Sequence, residues 1–136
     1  MSKHLLLNIL DGVKVLDLPE RLPGPFSSYV LSTMGADITK LENSDRGGDA
    51  FKSQEAKDHY PNFIDWYKQL NQSKKIAELS FGDQKEDFEK YIEAAQIIIA
   101  PENNFFKKYL CIEKLRPHQS VLFLACLLYT SPSPRD

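Results

Sequence analysis

The sequence predicts an α/β fold, a doubly wound parallel sheet with helices on both faces. Two observations predict it. Short aliphatic and β-branched runs recur along the chain, and the stretches between most of them place apolar residues at helical spacing. Strands and helices in regular alternation imply βαβ crossovers, which lay the strands parallel and cover both faces of the sheet. The length agrees: 136 residues is about one domain, against roughly 100 to 200 residues for an ordinary one.

Taken in order, VKVLDL (13–18) follows Asp11-Gly12 and reads as a buried strand. GPFSSYVLSTMG (24–35) reads as a helix. Pro25 suits its first turn and Gly35 its left-handed stop, and Phe26, Tyr29, Val30 and Thr33 fall on the face expected to be buried. ADITKLE (36–42) is a second strand, and NSDRGGDAFKSQEAKDHY (43–60), polar around Gly47-Gly48, reads as an excursion loop. PNFIDWYKQLN (61–71) places Phe63, Trp66, Tyr67 and Leu70 on one helical stripe. KKIAELSF (74–81) is a third strand. GDQKEDFEKYIEAA (82–95) is a helix that opens on a capping box of Asp83 and Glu86 and buries Phe88, Tyr91, Ile92 and Ala95. QIIIA (96–100) and SVLFLA (120–125) are the fourth and fifth strands, with a short helical stretch around Phe105 to Lys114 between them.

Composition narrows the function classes. With 42% hydrophobic and 26% charged residues and a net charge of -2, the chain is of ordinary globular type and has no overall electrostatic reason to bind nucleic acid, so any anion site must be local. The opening MSKHLLLNILDG is broken by Asn8 and Asp11, which argues against a secretory leader. The apolar run Val121 to Tyr129 is about half of the ~20 residues a membrane-spanning helix needs. A cytoplasmic protein without membrane contact is expected. Cys111, Cys126, His4, His59 and His118 show neither a disulfide framework nor metal-ligand spacing and are expected to be packing or surface residues.

In doubly wound sheets ligands bind beyond the carboxyl ends of the strands, which points to the loops after Leu18, Leu41, Phe81 and Ala100. The first of these, DLPERLPGPFSS, puts Gly-Pro at a helix start, where backbone amides at the positive end of the dipole can hold an anion. It lacks the G-x-G-x-x-G fingerprint, so NAD-type binding is not supported. LNQSKKIAEL sets Lys74 and Lys75 beside Asn71 and Ser73, either a phosphate contact or a solvated strand edge. KLENSDRGGD offers Arg46 in a glycine-containing loop that is not a phosphate loop.

In combination and order, LDGVKVLDLPERLPGPFSSYVLSTMGADITKLE, LNQSKKIAEL and AAQIIIAPEN resemble the amino-terminal part of the class III (family III, CaiB/BaiF-like) CoA-transferases, over about residues 10 to 125. That family includes formyl-CoA transferase-like and α-methylacyl-CoA racemase-like enzymes. The resemblance implies a Rossmann-like domain within an interlocked homodimer, with coenzyme A or an acyl-CoA bound as substrate, not as a tightly held cofactor. Positions matching the family's CoA-contacting segments are Arg21 and Leu22, Asn43, Asn71 with Lys74 and Lys75, and Glu102 with Asn103. Two departures stand out. The basic residue that often follows K-x-E is Asn43 here, with Arg46 the nearest substitute, and ENNFFKK has no Pro-Gly.

The resemblance also implies a mechanism. An aspartate attacks the acyl-CoA thioester to give a mixed anhydride and CoA thiolate. The thiolate then forms an aspartyl thioester, from which CoA passes to the acceptor carboxylic acid. Racemase-like members instead use an Asp and a His as acid and base across an α-proton. In both groups the catalytic Asp lies downstream of the strand that SVLFLA matches, so no catalytic residue is expected in this chain. Asp17 and Asp37 belong to strand motifs.

CLLYTSPSPRD (126–136) has no counterpart in the family. It resembles an in-frame translation of a transposon-end sequencing adapter, although a Ser/Pro-rich disordered tail would share its composition. The expected organisation is therefore a partial CoA-binding domain over 1–125 and a non-native tail. Such a fragment is expected to be inactive and prone to aggregation. The competing readings are a fragment of an α-methylacyl-CoA racemase-like enzyme, a stand-alone nucleotide-binding module and a ligand-free structural domain.

Overall fold

The computed structural model describes residues 8–110 and 112–124. Its sheet is built from β1 (Lys14–Asp17), β2 (Asp37–Asn43), β3 (Lys75–Leu79), β4 (Ile97–Pro101) and β5 (Ser120–Leu124). The helices are α1 (Pro23–Thr33), α2 (Gln54–His59), α3 (Phe63–Asn71), α4 (Lys85–Ala94) and α5 (Asn104–Tyr109). All the pairings are parallel, in the order β3-β2-β1-β4-β5, with Val15 opposite Ile38 on one side and Ile97 on the other. The doubly wound expectation holds. The strand order reverses between β1 and β4, which is where a ligand crevice opens in this architecture.

Side chains alternate across a strand, and here the two faces differ. Leu16, Leu41, Ile98 and Ala100 meet Phe88 of α4, Ala95 just past its end and Phe106 of α5 in one apolar core. On the other face Val15, Ile38 and Ile99 pack with Leu31 of α1. The positions two residues on from Val15 and Ile38 are Asp17 and Lys40, followed by Glu42, and all three are buried. Ser28 of α1, Tyr67 of α3 and Asp49 of the 44–52 segment cover them.

The stripe expected to bury α1 does not do so. Phe26 and Val30 are 52% and 40% exposed, while Gly24, Pro25 and Ser28 face inward. Small residues win because α1 approaches closely: Ser28 Oγ donates to Asp17 Oδ2 at 2.5 Å, and a Cβ on Gly24 would lie 2.2 Å from Pro19 Cβ. Gly24→Ala is therefore expected to cost about 1–3 kcal/mol through overpacking. The urea midpoint reads it, and an unchanged midpoint would mean the 19–22 turn yields freely.

The 43–60 segment is more ordered than an excursion loop. It carries 3₁₀ turns at Ser44–Arg46 and Ala50–Lys52 and then α2. Asn43, Asp49 and Ser53 cap these pieces by accepting from the amides of Asp45, Phe51 and Ala56. The expected capping box of α4 does not form either. The Ser80 amide donates to Gln84 Oε1 and the Asp83 amide to Ser80 Oγ, so the helix starts later, at Lys85. Its stripe of Phe88, Tyr91, Ile92 and Ala95 packs on the core as expected. In α3, Tyr67 is buried but Trp66 is 46% exposed. His4, Cys111 and residues 125–136, the tail included, lie outside the described residues. No described helix is long and apolar enough to cross a membrane.

Candidate ligand-binding site

A cavity of about 510 Å³ opens at the carboxyl ends of β1, β2 and β4. Its walls are the 19–21 turn, the 43–46 segment, Phe81-Gly82 and the 101–103 turn, with Phe106 also contributing. The loops after Leu18, Leu41, Phe81 and Ala100 thus surround one space. Arg21, Asn43, Arg46, Glu102 and Asn103 all line it. Leu22, 45% exposed, lines a neighbouring hollow of about 480 Å³ with Phe51, Tyr60, Phe63 and Trp66. The two spaces share Glu20, Arg21, Pro23 and Arg46.

Asn71, Lys74 and Lys75 line neither space. Lys75 sits exposed at the amino end of β3, 3.1 Å from Asp37. Lys74 is buried, and its Nζ donates to Asp17 Oδ2 at 3.0 Å, Pro25 O at 2.9 Å and Asn71 Oδ1 at 2.7 Å. An ammonium has three protons, so none is left for a phosphate. Burial pushes the Lys74 pKa down, against the pull of Asp17. The helix start is also a thinner anion site than the sequence suggests. Pro23 and Pro25 carry no N–H, so of the first three residues of α1 only Gly24 has an amide to offer.

The walls are held by side chains that use their acceptors internally. Asn43 Oδ1 takes the amides of Asp45 at 3.1 Å and Phe81 at 3.4 Å, joining the ends of β2 and β3. Asn103 Oδ1 caps α5 through the Phe106 amide at 2.9 Å. What these asparagines bring to a ligand is their Nδ2 donors. Asp45 Oδ2 accepts from the Gly82 amide at 3.1 Å, and the Ser80 hydroxyl with that amide holds its carboxyl below the usual range. Burial pushes Glu42 up, but bonds from Lys52, the Tyr67 hydroxyl and the Asp49 amide outweigh it and hold Glu42 low. Lys40 is paired with Asp49 at 2.8 Å. The half-buried Arg21 and the exposed Arg46 also line the cavity, where a guanidinium can pair with an anionic ligand.

A crevice at a topological switch point, lined by two arginines and two oriented amides, suits a phosphorylated carrier, and comparison with known proteins decides the family. The sequence model of CoA-transferase family III matches residues 10–110. The chain belongs to CoA-transferase family III. It is 29% identical over 137 aligned positions to the succinyl-CoA:mesaconate CoA-transferase of Haloarcula marismortui, covering 89% of this chain and 32% of that protein. It is 32% identical over 80 positions to the human succinyl-CoA:glutarate CoA-transferase, covering 56% of this chain and 17% of that one. Among solved structures, a hypothetical protein of Mycobacterium tuberculosis superposes with TM-score 0.71 at 23% identity, over 94% of this chain and 36% of that one. A CaiB/BaiF family protein of Brucella suis gives TM-score 0.67 at 22% identity, over 87% and 33%. The chain spans about a third of the length of the first of these relatives.

For a family III domain, the sequence reading missed Glu20, Lys40, Glu42 and Asp49. Glu20 lines both spaces, and burial with the nearby Asp49 carboxylate pushes its pKa up. A signal for two of these existed: Lys40 and Glu42 are opposite charges two residues apart, on the face of β2 that also carries Ile38, a pattern that fits a covered, paired face as well as a wet one. Among the described residues no group of three His, Cys, Asp or Glu is placed to hold a metal.

Proposed function

We propose that this chain carries the coenzyme A cradle of an enzyme that moves CoA between carboxylic acids. The observation that carries the reading is the family match over residues 10–110 falling on a fold whose reversal of strand order between β1 and β4 opens into a cavity lined by Arg21, Asn43, Arg46 and Asn103. In this reading Arg21 and Arg46 pair with the phosphates of the carrier and the asparagines donate to it.

The transfer itself needs a carboxylate nucleophile. It attacks the thioester carbon, the C–S bond breaks, and the thiolate leaves behind a mixed anhydride. The thiolate returns to the enzyme carbonyl, expels the donor acid, and the acceptor acid takes CoA by the reverse steps. Neither Asp17 nor Asp49 is available for this, being buried against Lys74 and Lys40, and Asp37 lies at the opposite end of the strands, paired with Lys75. We place the nucleophile outside this chain, in a full-length cytoplasmic homodimer, so the chain alone turns over no substrate.

The test is calorimetric titration of CoA and acetyl-CoA into the 136-residue chain. Saturable binding is expected. Arg21→Ala with Arg46→Ala should weaken it by roughly 10- to 100-fold, the worth of one or two charge-assisted hydrogen bonds. A cooperatively folded chain that binds neither compound would overturn the cradle, and CoA transfer by the chain alone would overturn the placement of the nucleophile.

A further inference from the structure

We infer that Asp49, clamped by Lys40, is a positioning residue: it holds the Arg21 turn and the Arg46 loop at the separation that lets both cations meet one ligand. This rests on the cradle reading above. Four sets of contacts carry it. Asp49 Oδ2 lies 2.8 Å from Lys40 Nζ, with both side chains buried. Asp49 Oδ1 accepts the amides of Phe51 at 2.9 Å and Arg21 at 3.3 Å. The Asp49 amide donates to Glu42 Oε1 at 3.0 Å. Lys40 Nζ donates to the Pro19 carbonyl at 3.0 Å. One buried ion pair therefore grips both ends of the 19–21 turn and ties it to the 44–52 segment.

The backbone shows the grip. Arg21 has φ 68°, the only left-handed non-glycine among the described residues, and a residue with a side chain stays there only when its surroundings hold it. The Asp49 bond to its amide and the Lys40 bond to Pro19 are part of those surroundings. On the other side, Gly48 sits so close to Glu42 that a Cβ would lie 2.6 Å from Oε1. The Arg46 loop is thus seated on the same carboxylate that receives the Asp49 amide. Asp49 itself lines neither space, so it acts through the arginines and not on the ligand.

The test is a double-mutant cycle read as CoA affinity by calorimetry, with thermal melting alongside, on the full chain. Asp49→Asn keeps the size and Oδ1 but removes the charge, and should weaken CoA about tenfold. Arg21→Gly removes the guanidinium at a left-handed position that glycine accepts, and should weaken CoA about tenfold. The double variant should bind no more weakly than the weaker single one, which a merely structural role of Asp49 would not produce. Multiplying losses, or Asp49→Asn binding within about twofold of the parent, would overturn the inference while leaving the cradle standing. If Asp49→Asn does not melt cooperatively, Lys40→Gln with Asp49→Asn, which neutralises both partners and keeps polar contacts, takes its place under the same criteria. A folded parent that binds no CoA would overturn both readings.

Discussion

Lys74→Met is expected to lower the stability of the fold by about 3–5 kcal/mol, because it strands a carboxylate where water does not reach. Asp17 is fully buried, and its Oδ2 receives only the Lys74 ammonium at 3.0 Å and the Ser28 hydroxyl at 2.5 Å. Removing the cation leaves a charge that a hydroxyl alone must satisfy. It also frees the Pro25 carbonyl and Asn71 Oδ1, so the start of α1 loses its tie to the end of α3. The double replacement Asp17→Leu with Lys74→Met should recover most of the loss, since both charges leave together and Ser28 Oγ keeps the Pro25 carbonyl at 3.1 Å. Urea unfolding followed by the fluorescence of Trp66, the single tryptophan, measures both variants. A Lys74→Met chain within about 1 kcal/mol of the parent would mean that water reaches Asp17, and the buried-pair account would fail.

That pair marks where the sequence was legible and where it was not. Strands and helices followed from periodicity, because most of them have one apolar face at the right spacing, as in Phe88, Tyr91, Ile92 and Ala95. The location of the cavity followed from topology, since the four loops that surround it could be named without coordinates. The role of Lys74 did not follow, because a lysine at a strand start reads the same whether it meets solvent, a phosphate or a buried aspartate 57 residues away. The buried face of α1 was misread for a related reason. Periodicity ranks Phe26 and Val30 above Gly24 and Ser28, whereas close approach to Pro19 and a bond to Asp17 select the small residues. Local patterns report hydrophobicity well, but they do not report long-range pairing of charges or the steric room between two backbones.

The apolar face should be equally sensitive, and Phe88→Ala should also cost about 3–5 kcal/mol. Phe88 is 0% exposed, with its ring centroid 4.8 Å from Phe81 and 5.3 Å from Tyr109. Phe81 in turn meets Phe106 edge-on at 6.1 Å, and both Phe81 and Phe106 line the cavity. Truncating Phe88 empties the space beneath that wall, so Phe81 can sink and the cavity loses its shape as the fold loses packing. Phe88→Leu keeps most of the volume and should cost much less, which separates a packing role from any special need for a ring. Against the ~5–15 kcal/mol by which ordinary domains are stable, the alanine variant should lie close to unfolding at room temperature. Its CoA affinity is best read at low temperature, where a folded population remains. A variant that stays within about 1 kcal/mol of the parent would show that the Phe81–Phe88–Phe106 cluster is not the support on which the cavity wall rests.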